Sequence, residues 1–140
     1  MHSHRIHVST LADFLLTTAD RWPERPVLIF PDARRSYAEF VSSAYTHARS
    51  LHGLGVRNGD YVGILMANCL TYLEVVMACS LLGAVAVPVN ARYKPLELAY
   101  VIGDADLKVI VTSDHISEYA NFPQRCSEQF REVGVFRYVV

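Results

Sequence analysis

The chain has no long block of charge of either sign: 13 basic and 14 acidic side chains are interspersed along 140 residues, for a net charge of −1. That excludes the clustered Lys and Arg footprint of a nucleic-acid binder. The single basic pair, Arg34-Arg35, is read as a solvated hairpin turn. Cysteine is sparse. Cys69, Cys79 and Cys126 are widely spaced, without a CxxC or a matched histidine pair, which argues against zinc and for reduced, small core residues. The opening MHSHRIHVST lacks the apolar stretch of a secretory signal. His2, His4 and His7 are read as part of a frayed terminus rather than as metal ligands, and residues 1–9 are expected to be flexible. An uninterrupted membrane span is also missing. The most apolar stretch, Cys69 to Val89, carries Glu74 and is broken by Gly83 and Pro88, leaving fewer than about 17 continuous helical residues. A cytoplasmic protein is expected.

What is present is enough apolar side chain for one domain, 51% of all residues. Thr10 and Asp13 open a first helix in the manner of a capping box, with Leu11, Phe14, Leu15, Ala19 and Trp22 at helical spacing and Pro23 as its stop. Val27–Phe30 and Arg35–Tyr37 flank a turn at residues 31–34 and form a hairpin. A second helix carries Phe40, Val41, Ala44, Tyr45, Ala48 and Leu51 on one face and is ended by Gly53 and Gly55. From Gly55 the pattern becomes strand, helix, strand, helix, strand. Tyr61–Met66 is an apolar strand, and Asn68 is the expected N-cap of the apolar helix Cys69–Leu82, which Gly83 closes. Val85–Val89 is the next strand, Pro95 the first residue of the next helix, and Leu107–Thr112 a third strand. A less regular, helical stretch and a strand over Val135–Val140 follow. The fold class is therefore α/β: an incomplete three-to-four-stranded parallel sheet with flanking helices, plus an N-terminal helix and β-hairpin. A chain ending inside a strand, VFRYVV, is expected to be part of a longer domain.

Ligands of open parallel sheets sit at the C-terminal ends of the strands. That edge nominates Asn68, the loop Asn90–Lys94 with Arg92, Tyr93 and Lys94, and Ser113, Asp114 and His115. Asn68 and the Ser113-Asp114 pair are equally well explained as caps or turns. Arg92, Tyr93 and Lys94 suit either a phosphate, a neighbouring segment or plain surface. Ser113, Asp114 and His115 are consecutive and cannot face one another as a hydrolase relay, and G-x-S-x-G is absent. Gly53, Gly55 and Gly59 imitate a dinucleotide fingerprint, but they follow a helix and precede a strand, the reverse of what pyrophosphate binding needs. His47 and His52 are read as surface histidines, exposed or partly packed. Asp104 and Asp106 are turn residues at the opposite edge.

From Thr10 to Asp114 the chain resembles the AMP-forming acyl-CoA synthetases of the adenylate-forming superfamily. The resemblance is carried by Trp22-Pro23, Arg35-Ser-Tyr-Ala-Glu-Phe40, Gly55-Val-Arg-Asn-Gly-Asp60, Asn68, Gly83-Ala84, Pro88-Val-Asn90 and Pro95-Leu-Glu97-Leu98 in this order. Lys94 departs from the hydroxyl residue such enzymes often place there as a helix cap. The resemblance implies residues 1–140 of the N-terminal part of the large N-terminal domain of a ligase. Such a ligase joins a carboxylic acid, a fatty acid by first expectation, to ATP, then passes the acyl group from AMP to coenzyme A. Aryl acids, amino acids and a carrier-protein acceptor remain open.

That chemistry needs a Gly/Ser/Thr loop for the triphosphate, a metal to bridge it and a lysine against the developing charge. The chain has no Thr-Gly or Gly-Lys pair, and Lys94 and Lys108, its two lysines, lie in no matching motif. No catalytic, cofactor-binding or metal-binding residue is therefore assigned. ATP, Mg and coenzyme A belong to the full-length enzyme, and none is expected to bind this chain tightly. The expected partners are a small carboxylic acid for the whole enzyme and a second copy of this chain, with no nucleic acid and no membrane span. The alternative is a stand-alone, self-associating α/β binding or regulatory module without catalytic activity. A flavodoxin-like nucleotide binder would need a phosphate loop after a strand, and none is visible.

Overall fold

A computed structural model describes residues 10–90, 92–113 and 136–139. Helix α1 (Leu11–Arg21), strands β1 (Pro26–Ile29) and β2 (Arg34–Ser36), and helix α2 (Tyr37–Gly53) come first. Strand β3 (Tyr61–Leu65), helix α3 (Leu70–Leu82), strand β4 (Val85–Pro88), helix α4 (Pro95–Asp104), strand β5 (Leu107–Thr112) and strand β6 (Phe136–Val139) complete the order. The α/β reading holds. β1 and β2 pair antiparallel, and the other four strands form one parallel sheet in the order β4-β3-β5-β6. His2, His4, His7, Asp114, His115, Cys126 and the expected helical stretch before β6 lie outside the described residues.

Alternation along β3 and β5 builds a core on each face of the sheet. Val62, Ile64, Met66, Val109 and Val111 pack with Val75, Ala78 and Cys79 of α3 and with Ala48 and Leu51 of α2. Leu65, Leu107 and Ile110 pack with Val89 and with Leu98 and Ile102 of α4. A third cluster, Leu15, Phe40, Ala44 and Met77, seats α1 on α2 and α3.

Local chemistry explains most element ends. Thr10 Oγ1 accepts from Asp13 N–H at 3.1 Å. Ser36 and Glu39 close a reciprocal capping box at the start of α2. Gly83 ends α3 with φ +67°, the left-handed conformation glycine adopts without penalty. Gly55 (φ +93°) and Gly59 (φ +85°) turn the chain between α2 and β3, as a helix stop and not a fingerprint.

Three expectations are corrected. The N-cap of α3 is Cys69, extended and without a side-chain cap bond; Asn68 stands one residue too early. The buried stripe of α1 is Ala12, Leu15 and Ala19, while Leu11 and Phe14 are each 54% exposed, because α2 and α3 cover only one narrow side of it. Arg35 is not a solvated turn residue: its guanidinium reaches buried Glu74 of α3.

Candidate functional site

The sheet order defines where a ligand edge must lie. The connection from β3 runs outward to β4 and that from β5 runs the other way to β6, so β3 and β5 diverge at a topological switch point. The segment 66–68 after β3 therefore stands between the Asn90–Lys94 loop after β4 and Ser113 after β5. Asn68, freed from capping, is exposed and lines an open cleft of about 410 Å³ with Phe30, Cys69, Tyr72 and Leu73.

The Asn90–Lys94 loop is mostly self-engaged. Asn90 Oδ1 accepts from Arg92 N–H at 2.9 Å and its carbonyl from Tyr93 N–H at 3.1 Å, so Asn90 is a turn former. Tyr93 is half-buried against the α4 core. Lys94 caps α4 without its side chain; Glu97 Oε2 accepts from Lys94 N–H at 2.7 Å, one half of a capping box, while the lysine side chain, having no acceptor, cannot make the other half to Glu97 N–H. Arg92 and Lys94 keep exposed side chains. Ser113 is half-buried.

Among the described residues the edge thus presents neutral amides, the hydroxyls of Tyr93 and Ser113, and two cations. Its carboxylate, Glu97, is already engaged as a cap. Among the described residues this set does not fit a triphosphate with its divalent metal: it offers the metal no free carboxylate, and no run of glycine amides to surround the phosphates. Among the described residues no group of three or more His, Cys, Asp or Glu could hold a metal ion. Cys69 and Cys79 are free thiols, and burial pushes Cys79 up to about 12.

Two polar clusters lie away from the positional candidates. At the opposite edge, Asp60 Oδ2 accepts from Lys108 Nζ at 2.7 Å and from Arg57 N–H at 2.6 Å. These bonds, the lysine's first, hold the Asp60 carboxyl below its ordinary range. The second was missed by sequence reasoning. Glu74, 4% exposed, meets Arg35 Nε at 3.2 Å through Oε1 and His47 Nε2 at 3.6 Å through Oε2. His52 is exposed, whereas His47 is packed, with a side chain 15% exposed. The available signal was a carboxylate in the middle of a helix apolar on every side, which demands buried partners.

An α/β scaffold with an open ligand edge at a topological switch point is the class this geometry defines. The chain belongs to the AMP-binding enzyme family, which matches residues 15–135. It is 38% identical over 106 residues to a 2-succinylbenzoate–CoA ligase of Oceanobacillus iheyensis, covering 75% of this chain and 22% of that protein. Its fold matches the N-terminal domain of FACL13 from Mycobacterium tuberculosis with a TM-score of 0.81 at 26% identity, over 94% of this chain and 34% of that one. It also matches the O-succinylbenzoate coenzyme A synthetase MenE of Bacillus subtilis, solved in complex with AMP, with a TM-score of 0.76 at 26% identity, over 90% and 30% of the two chains. The chain spans about a fifth of the length of the curated relatives it matches.

Proposed function

We propose that residues 1–140 are the N-terminal part of the large N-terminal domain of a cytoplasmic AMP-forming acyl-CoA ligase. The whole enzyme would activate a carboxylic acid with ATP and Mg, releasing pyrophosphate, and transfer the acyl group from the adenylate to coenzyme A. A fatty acid is the first substrate to test, with aryl acids beside it because the relatives include a 2-succinylbenzoate ligase. The observation that carries this reading is the family match over residues 15–135.

The chain alone is proposed to bind ATP weakly or not at all and to form no adenylate, since the described residues of the ligand edge include neither a phosphate cradle nor a free carboxylate for a metal. Hydroxamate trapping of acyl-AMP with the purified 140-residue chain tests this. Robust trapping would sink it; silence here, with activity in a longer protein that contains this chain, supports it. A second reading, a self-associating α/β binding or regulatory module, is favoured by exposed Leu96 and Tyr100 on α4. The intact mass of the native protein discriminates. A species several times heavier than 15.7 kDa supports the ligase, and one at 15.7 kDa the module.

A further inference from the structure

We propose that Arg35, Glu74 and His47 form a clamp that fixes the β1–β2 hairpin as one wall of the cleft at the ligand edge, with Phe30 as the part it positions. The hairpin is a separate two-stranded unit, not joined to the main sheet. Such a unit is marginal by itself. None of its residues is fully buried, and Val27 and Leu28 only lean on the cluster of Leu15, Phe40, Ala44 and Met77. Its backbone is fastened where it meets α2, through Tyr37 N–H to Arg25 C=O and Ala38 N–H to Pro23 C=O. The far side, where Phe30 N–H closes the turn on Ala33 C=O, has no such fastening among the described residues.

Across this gap runs the Arg35–Glu74 bond, joining residues 39 apart in sequence. Glu74 is read from two directions, by Arg35 of the hairpin and by His47 of α2. The pair is half-buried, its carboxylate enclosed and its guanidinium partly in solvent; such a pair contributes little net stability, but the enclosed carboxylate is satisfied in only one geometry. Toward the N-terminus from Glu74, Leu73 and Tyr72 of α3 and its N-cap Cys69 line the cleft together with Phe30. Fixing Arg35 against Glu74 therefore fixes the width of that cleft. Arg35 and Glu74 are positioning residues.

The cleft carries its own reporter, because Cys69 is half-buried in its wall while Cys79 is fully buried. With Cys126→Ser as the parent, the rate of Cys69 alkylation by a bulky maleimide in the folded chain reads hairpin opening, alongside the thermal midpoint. Arg35→Met is expected to raise the rate roughly tenfold and lower the midpoint, since it leaves the buried Glu74 carboxylate with His47 as its remaining partner. Arg35→Met with Glu74→Leu is expected to restore the midpoint and keep the fast rate. A rate within about twofold of the parent in either variant overturns the clamp. So does a double variant that restores rate and midpoint together. Should Arg35→Met fail to fold, Arg35→Lys decides in the same way: faster labelling at an unchanged midpoint supports the clamp, and parental labelling overturns it.

Discussion

Lys108 sits at an irregularity in the β3–β5 ladder, where Tyr61 pairs with Leu107 but Val62 with Val109. The extra residue turns its side chain out to Asp60 and resets the alternation, so that Leu107 and Ile110 share one core while Val109 and Val111 share the other. Asp60 is held below its ordinary range, so its stabilisation is complete above the unfolded value near 3.8 and is lost as pH falls through the lower folded value. Asp60→Asn should therefore lower the thermal midpoint at neutral pH, with a deficit that shrinks as the pH falls below 3.8. A deficit independent of pH would assign the effect to shape rather than charge. Gly63 is a second residue-scale test. A Cβ there would stand 2.7 Å from Leu107 Cδ1 and 3.2 Å from Ile110 Cγ1, both buried. Gly63→Ala is expected to destabilise by about 1–3 kcal/mol through overpacking, read as a lower urea midpoint. Neither the bulge nor the close approach at Gly63 was legible in the sequence, because both depend on which strand lies beside β3. Glu74 was half-legible: its oddity in an apolar helix is plain, but its partners come from 27 and 39 residues away.

At the scale of elements, end chemistry decides where helices start. The Ser36–Glu39 box satisfies two backbone donors at the head of α2. Ser36→Ala should cost about 1 kcal/mol, seen as a lower midpoint with unchanged helical content. Helix α3 shows the converse. Its N-cap Cys69 has extended geometry (φ −152°, ψ 175°) and makes no cap bond. Cys69→Ser is expected to stabilise by up to about 1 kcal/mol, and a midpoint that fails to rise would show that the thiol's packing outweighs the missing bond. The sequence marked most elements of the described residues, through Thr10, Pro23, Gly83 and Pro95. It misplaced the α3 cap by one residue, because residue type alone does not say which of two adjacent positions takes the last extended conformation. The stripe of α1 was misread for a related reason. Leu11 and Phe14 have the spacing of a buried face, but burial follows where α2 and α3 sit.

For the whole molecule, the alternation from Gly55 onward was sufficient to read a parallel sheet, since parallel strands require crossovers and these helices supply them. The order β4-β3-β5-β6 was not legible, and with it the switch point that places the 66–68 segment between its neighbours. The same architecture leaves apolar side chains without cover among the described residues. Leu96 is 86% and Tyr100 71% exposed, one turn apart on α4; Ile29 is 64% exposed on the hairpin. Contiguous exposed apolar groups favour association. The chain alone is expected to self-associate in sedimentation equilibrium as its concentration rises, and Leu96→Glu with Tyr100→Glu should shift it toward monomer. Both positions face outward from the α4 core formed by Leu98 and Ile102, so the double variant should keep its unfolding free energy within about 0.5 kcal/mol of the parent's. A strictly monomeric parent at high concentration would show that these side chains are tolerated singly in water. Association undiminished in the double variant would instead move the contact away from α4, leaving the outer edge of β4, unpaired among the described residues, as the next surface to test.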